Sequence, residues 1–85
     1  MKEFTYVITD PQGIHARPAG MLVQEAKKFT SSIIMKKNDK TADVKRIFAV
    51  MSLAAKKDET ILISAEGSDE ADAIAALQEF CKNSL

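Results

Sequence analysis

Apolar and polar residues alternate along Phe4-Thr5-Tyr6-Val7-Ile8-Thr9. This period of two, rich in β-branched and aromatic side chains, predicts a strand with one buried face. Asp10-Pro11-Gln12-Gly13 ends it, because proline and glycine interrupt regular pairing, and leaves Ile14, His15 and Ala16 on a loop. From Pro18 the period changes: Ala19, Leu22, Val23, Ala26 and Phe29 recur at helical spacing, with Gln24, Glu25, Lys27 and Lys28 on the other face. Pro18 suits a first turn, where its missing N–H and fixed φ do little harm, so the helix is expected to begin within a residue or two of His15. Gly20 weakens that helix by roughly 1 kcal/mol relative to alanine, which suggests a close packing contact.

Ser32 to Lys37 and Thr41 to Val44 read as two short strands joined by Asn38-Asp39, residues that tolerate the positive φ of a tight hairpin. Arg46 to Leu53 follows as a short helix with Ile47, Val50 and Met51 at helical intervals, its apolar arc widened by Phe48 and Leu53. Ala54 to Glu59 is the one candidate linker. Thr60 to Ala65 returns to strand character, and Gly67-Ser68-Asp69-Glu70 supplies a turn, a cap and first-turn acids for a last helix. That helix is expected to bury Ile74, Leu77 and Cys81, with Ala73 and Phe80 flanking the stripe. The order β-α-β-β-α-β-α in so short a chain implies an open two-layer sandwich, a sheet with helices on one face.

Composition narrows the reading. The 85 residues have room for one compact domain spanning 1–85, and 46% hydrophobic with 28% charged residues is ordinary for a folded protein. Twelve basic and twelve acidic residues cancel, which argues against a general nucleic-acid binder. Cys81 is alone, so no internal disulfide is expected, and no Cys/His cluster offers a metal site. The N-terminal stretch shows no export signal, and no apolar run approaches the roughly 20 residues that span a bilayer. A cytoplasmic protein without membrane insertion is the expectation.

The candidate chemistry lies in Gly13-Ile14-His15-Ala16-Arg17-Pro18-Ala19. A lone histidine is ordinarily a surface residue without a role, but this one stands at a helix start beside an arginine. Free backbone N–H groups and the positive end of the helix dipole form an anion site there, and a guanidinium adds charge-assisted hydrogen bonds to phosphate oxygens. Imidazole titrates near pH 6.5 in its unperturbed state, so at neutral pH it keeps a lone pair able to attack phosphorus. Phosphoryl transfer is largely positioning and charge stabilisation, which Arg17 and the helix amides can supply. Serine, threonine, aspartate and asparagine, the usual capping residues, are all absent between Gly13 and Ala19, a local rule broken at a reactive group.

With Leu22-Val23 and Ala26 in the first helix and Val50-Met51-Ser52-Leu53 in the second, this run resembles HPr, the histidine-containing phosphocarrier of the bacterial phosphoenolpyruvate-dependent sugar phosphotransferase system. The resemblance covers nearly the whole chain. It implies an α+β open-faced sandwich in which a four-stranded antiparallel sheet carries three helices on one face. It also implies that enzyme I phosphorylates Nδ1 of His15 and that the phosphoryl group then passes to an enzyme IIA domain. Ala16 and Arg17 would bind the phosphate, with Arg17 as the stabilising cation. Ile47, Phe48 and Met51 would form an exposed docking patch, although apolar residues at helical spacing ordinarily face inward. On this reading the protein is a monomer without cofactor or metal, a stoichiometric intermediate and not a free-standing catalyst.

Three features depart from the family pattern. Arg46 stands where many members carry a serine phosphorylated by a dedicated kinase, and Ser52, well past the helix start, is a poor substitute. Ala54-Ala55 replaces a glycine after the second helix, so either that helix runs on or the following loop takes another path. Lys27, Lys28, Lys45 and Arg46 could attract an acidic partner or form a solvated face. Two other functions remain open: a regulatory relative that acts by docking on other proteins, and a small metal- or RNA-binding domain, disfavoured by the missing cysteine pair and the neutral charge. Cys81 is read as a core residue.

Overall fold

The computed structural model describes residues 1–85. Four strands, β1 (Lys2–Val7), β2 (Ser32–Lys37), β3 (Lys40–Asp43) and β4 (Thr60–Glu66), form one antiparallel sheet in the order β1-β4-β2-β3. Three helices, α1 (Ala16–Ala26), α2 (Ile47–Ser52) and α3 (Glu70–Ser84), complete the expected β-α-β-β-α-β-α order. The register explains the sandwich: Phe4 pairs with Ile63, Ile63 with Met35, and Met35 with Ala42, so one row of buried side chains crosses the whole sheet. Period-two alternation puts each of these on the helix-covered face. From the helices Ala19, Leu22, Val50, Ala73 and Leu77 close the core over that face.

Several expected boundaries move, each for a local reason. β1 ends at Val7, because its partner β4 begins at Thr60: the Ile8 amide donates to Glu59 O, in the loop before β4, at 2.9 Å, and the Thr9 amide leaves for Leu85 O at 2.7 Å. α1 stops at Ala26, so Phe29 packs against the core from the following turn instead of from the helix stripe. β3 begins and ends one residue earlier than expected, at Lys40 and Asp43, and in the two-residue hairpin turn Asn38 has φ +55°.

In α3 the fully buried stripe is Ala73, Leu77 and Cys81, while Ile74 joins Phe80 at its margin. Steps of four and four run straight along the helix face, and alanine lets α3 sit close to the sheet. Asp69 is the residue before α3, but its carboxylate makes no capping bond. It accepts the amides of Thr30 (2.9 Å) and Ser31 (3.0 Å) and the Ser31 hydroxyl, fastening the α3 start to the turn before β2. Glu70 accepts the Gly67 amide at 3.2 Å, which tightens the turn leading into α3.

Segment 54–59 is a braced loop and not a linker. α2 ends at Ser52, and Ala54 takes the left-handed φ of +51° that a glycine would ordinarily supply. Ala55 is buried, Asp58 N–H donates to Ile8 O at 2.8 Å, and the Glu59 carboxylate accepts the Lys56 amide at 2.7 Å. The loop therefore forms a fixed floor beneath the chain that leaves β1.

Candidate functional site

That floor positions the loop carrying His15. The Gln12 amide donates to Asp10 Oδ1 at 2.8 Å and the Gly13 amide to Asp10 O at 2.9 Å, which folds residues 10–13 into a compact turn. Gly13 has φ +67°, and a Cβ there would collide with the Ala55 carbonyl oxygen and stand 2.8 Å from Lys56 Cα. Only glycine permits this close approach. Next to it the Ile14 amide donates to Ala55 O at 3.0 Å while the Ile14 side chain is buried. The backbone is thus anchored on both sides of the turn before it reaches His15.

His15 is the N-cap of α1, with extended backbone (φ −92°, ψ −176°), and its side chain makes no capping bond. The helix thus begins within the residue or two of His15 that Pro18 implied, and it takes in Ala16, which was expected on the loop. The imidazole is 39% exposed, and its backbone carbonyl accepts the Ala19 amide at 2.9 Å, the first pairing of the helix. Pro18 has no N–H to leave unpaired. The amides of Ala16 and Arg17 donate to no protein acceptor, so two N–H groups are left at the positive end of the helix dipole. Nδ1, bonded to Cγ, is the ring nitrogen nearer the main chain.

An open cleft of about 290 Å³ is lined by Asp10, His15, Arg17, Pro18, Met21 and Ser84. It brings His15 and Arg17 together, as the sequence suggested, and adds three side chains that the sequence did not single out. Asp10 matters most among them, since its Oδ2 lies 3.9 Å from His15 Nε2. The only hint of it in the sequence is an acid at the start of a turn five residues before the histidine. A second hollow of about 350 Å³ between α1 and α3 is larger but carries Glu25 and Glu79 without a cation, a poor fit to phosphate. No three His, Cys, Asp or Glu side chains converge to hold a metal ion.

α2 carries the other candidate residues. Phe48 is 84% exposed and Met51 37% exposed, whereas Ile47 is half-buried and packs against the core. A Cβ built on Gly20 would lie 3.6 Å from Ile47 Cδ1, so α1 and α2 meet there. Val50, on the inner side, is fully buried. Met21 of α1, 49% exposed, is a further large apolar residue at the surface and lines the His15 cleft. Phe48 and Met51 thus stand outside the core, and Ile47 belongs partly to it.

The four cations separate in kind. Lys45 is structural: its Nζ donates to Phe29 O at 2.8 Å across the α1–β2 turn. Lys28 pairs with Glu25 at 3.2 Å, and Lys27 and Arg46 are exposed. Cys81 is fully buried, and burial pushes its thiol up to about 12, which keeps it protonated and inert as a nucleophile. No helix is long and apolar enough to cross a membrane.

The family model described as "PTS HPr component phosphorylation site" matches residues 2–83. Among solved structures, the histidine-containing phosphocarrier protein of Mycoplasma is 40% identical with a TM-score of 0.94, over 96% of this chain and 93% of that one. HPr of Thermoanaerobacter tengcongensis is 42% identical with a TM-score of 0.93, over 98% and 93%. The Bacillus subtilis catabolite repression protein Crh, in a swapped dimer, is 32% identical with a TM-score of 0.79, over 94% and 92%.

Proposed function

The chain belongs to the HPr family of the phosphotransferase system, and from that premise we propose that it accepts a phosphoryl group on His15 Nδ1 from phosphorylated enzyme I and donates it to enzyme IIA domains. The observation that carries this reading is the uncommitted imidazole at the α1 N-cap, with the free amides of Ala16 and Arg17 beside it and the Arg17 side chain in the same cleft. In the transfer the Nδ1 lone pair forms the new N–P bond while the donor's N–P bond breaks and its electron pair returns to the donor imidazole. Arg17 and the two amides stabilise the charge on the equatorial phosphoryl oxygens. No separate base is needed, because neutral imidazole is already the nucleophile.

The exposed Phe48 and Met51 support α2 as the docking face, with Ile47 holding that face on the core. A carrier that alternates between partners in the cytoplasm gains from a shallow apolar patch that releases quickly, and a monomer leaves that patch free. Arg46, at the residue before α2, has no hydroxyl to phosphorylate, so the serine brake of many relatives is absent. The regulatory reading, docking alone, leaves His15 and Arg17 without a role.

Incubation with enzyme I and phosphoenolpyruvate is the test. One acid-labile, base-stable phosphoryl group on His15, lost in His15→Ala, is the expected result. Equal phosphate acceptance by His15→Ala would overturn the reading. Incubation with an HPr kinase and ATP should leave the serines unmodified, and stoichiometric serine phosphorylation near α2 would contradict the missing brake.

A further inference from the structure

Asp10 lines the same cleft as His15 and Arg17 and brings a carboxylate to the reacting ring. Its two oxygens have separate partners: Oδ1 accepts the Gln12 amide at 2.8 Å, which fixes the carboxylate, and Oδ2 lies 3.9 Å from His15 Nε2. The main-chain amide of Asp10 donates to Leu85 O at 2.8 Å, so the residue is held at both ends. Of the side chains lining the cleft, only Asp10 and Arg17 carry a fixed charge, and the contribution from α3 is the uncharged Ser84. Nε2 therefore faces an anion, while the helix start offers positive charge to the phosphoryl group.

We infer that Asp10 is a positioning residue for phosphoryl transfer: it holds the proton on His15 Nε2 and balances the positive charge that the ring acquires when Nδ1 bonds phosphorus. This inference rests on the phosphocarrier reading. The neutral imidazole has one nitrogen protonated and one free. A carboxylate beside Nε2 favours the tautomer with its proton there and the lone pair on Nδ1. As the N–P bond forms, the Nε2 proton stays in place and the ring becomes cationic. The carboxylate gains a full counter-charge at that moment and only a dipole before it, so it stabilises the phosphorylated form over the free form. The separation exceeds a hydrogen bond in the free protein, and the charged ring draws it shorter.

Asp10→Asn separates this role from turn formation, because its amide oxygen still accepts the Gln12 N–H while the charge is gone. Wild type, Asp10→Asn, Asp10→Glu and Asp10→Ala are loaded with phosphate, by enzyme I with phosphoenolpyruvate and in parallel chemically with phosphoramidate. The phosphorus resonance is then followed against pH. The titration midpoint of the phosphoimidazole should fall by about half to one pH unit in Asp10→Asn and return most of the way in Asp10→Glu. In a mixture of wild type and Asp10→Asn with enzyme I, phosphate should partition toward wild type by roughly three- to tenfold at neutral pH. An Asp10→Asn midpoint equal to wild type, with a defect confined to Asp10→Ala, would reduce Asp10 to a turn residue and overturn the inference. Failure of enzyme I to load any variant would count against the phosphocarrier reading instead, and the chemically loaded proteins would still decide the role of Asp10.

Discussion

The Asp69 carboxylate accepts the Ser31 amide at 3.0 Å and the Ser31 hydroxyl as well, joining the start of α3 to the turn before β2. With the Thr30 amide added, these donors hold Asp69 at about 2 against an ordinary value of 3.8, the Ser31 hydroxyl contributing most. A depressed folded value means that the stabilisation is fully present above about pH 4 and is lost as pH falls through about 2. Glu59 and Glu70 are lowered too, by the Lys56 amide and Lys37 in one case and the N-terminal ammonium and Gly67 amide in the other, so acid unfolding has several contributors. The difference between wild type and Asp69→Asn isolates one of them. Asp69→Asn should have the lower Tm at pH 7, and the gap should shrink as pH falls from about 4 toward 2. A gap independent of pH would remove the carboxylate from the account.

Ala54 should be improved by glycine. Its φ of +51° places Cβ in conflict with the backbone, at roughly 1–2 kcal/mol, only part of which is offset by the smaller unfolded-state entropy of alanine. The bond from Lys37 Nζ to the Ala54 carbonyl at 3.1 Å survives the change. Ala54→Gly should therefore stabilise the protein by about 0.5–1 kcal/mol, a rise of about 3–6 °C in Tm measured by thermal denaturation. A fall in Tm would show that the alanine is unstrained.

How far the sequence reveals the molecule depends on what sets each feature. β2 has both expected ends, Ser32 and Lys37, because its alternation and its bounding turn residues are local. α1 begins within a residue or two of His15, as Pro18 in its first turn implies. In α3 the sequence offers Ala73 and Ile74 as neighbours on the helix, and either continues through Leu77 to Cys81. The close approach to the sheet, a tertiary fact, selects the smaller one. Asp10 was legible only as part of a turn, since its place beside His15 depends on that turn being pinned to Ala55 and Leu85. The glycine missing after α2 announced an irregularity, but not that an alanine would adopt the left-handed turn itself.

Gly20 is a glycine that the packing does not require. The Cβ of an alanine would meet Ile47 Cδ1 at 3.6 Å, an ordinary van der Waals separation. Gly20→Ala should gain most of the helix propensity difference, about 0.5–1 kcal/mol, seen as a higher denaturation midpoint with an unchanged slope. Phosphate acceptance by His15 should persist, because the substitution lies one turn inside α1 and faces α2. A loss of stability would mean that α1 and α2 approach more tightly than this contact indicates.

Phe48 and Val50 divide docking from folding within a single helical turn. Phe48 is 84% exposed and contributes little to the core, so Phe48→Ala should change unfolding free energy by no more than about 0.5 kcal/mol. Val50 is fully buried two residues later, and Val50→Ala should cost about 2 kcal/mol through lost transfer energy and a small cavity. If α2 is the docking face, the order reverses for partners: an exposed aromatic is the expected anchor, and Phe48→Ala should weaken association with enzyme I at least tenfold, about 1.4 kcal/mol. Val50→Ala should leave association nearly unchanged wherever the protein remains folded. Ile47→Ala should lose on both measures, because the same side chain packs on α1 and borders the patch. Denaturant titration and calorimetric binding on the three variants check the assignment, and equal enzyme I affinity for Phe48→Ala and wild type would move the docking face off α2.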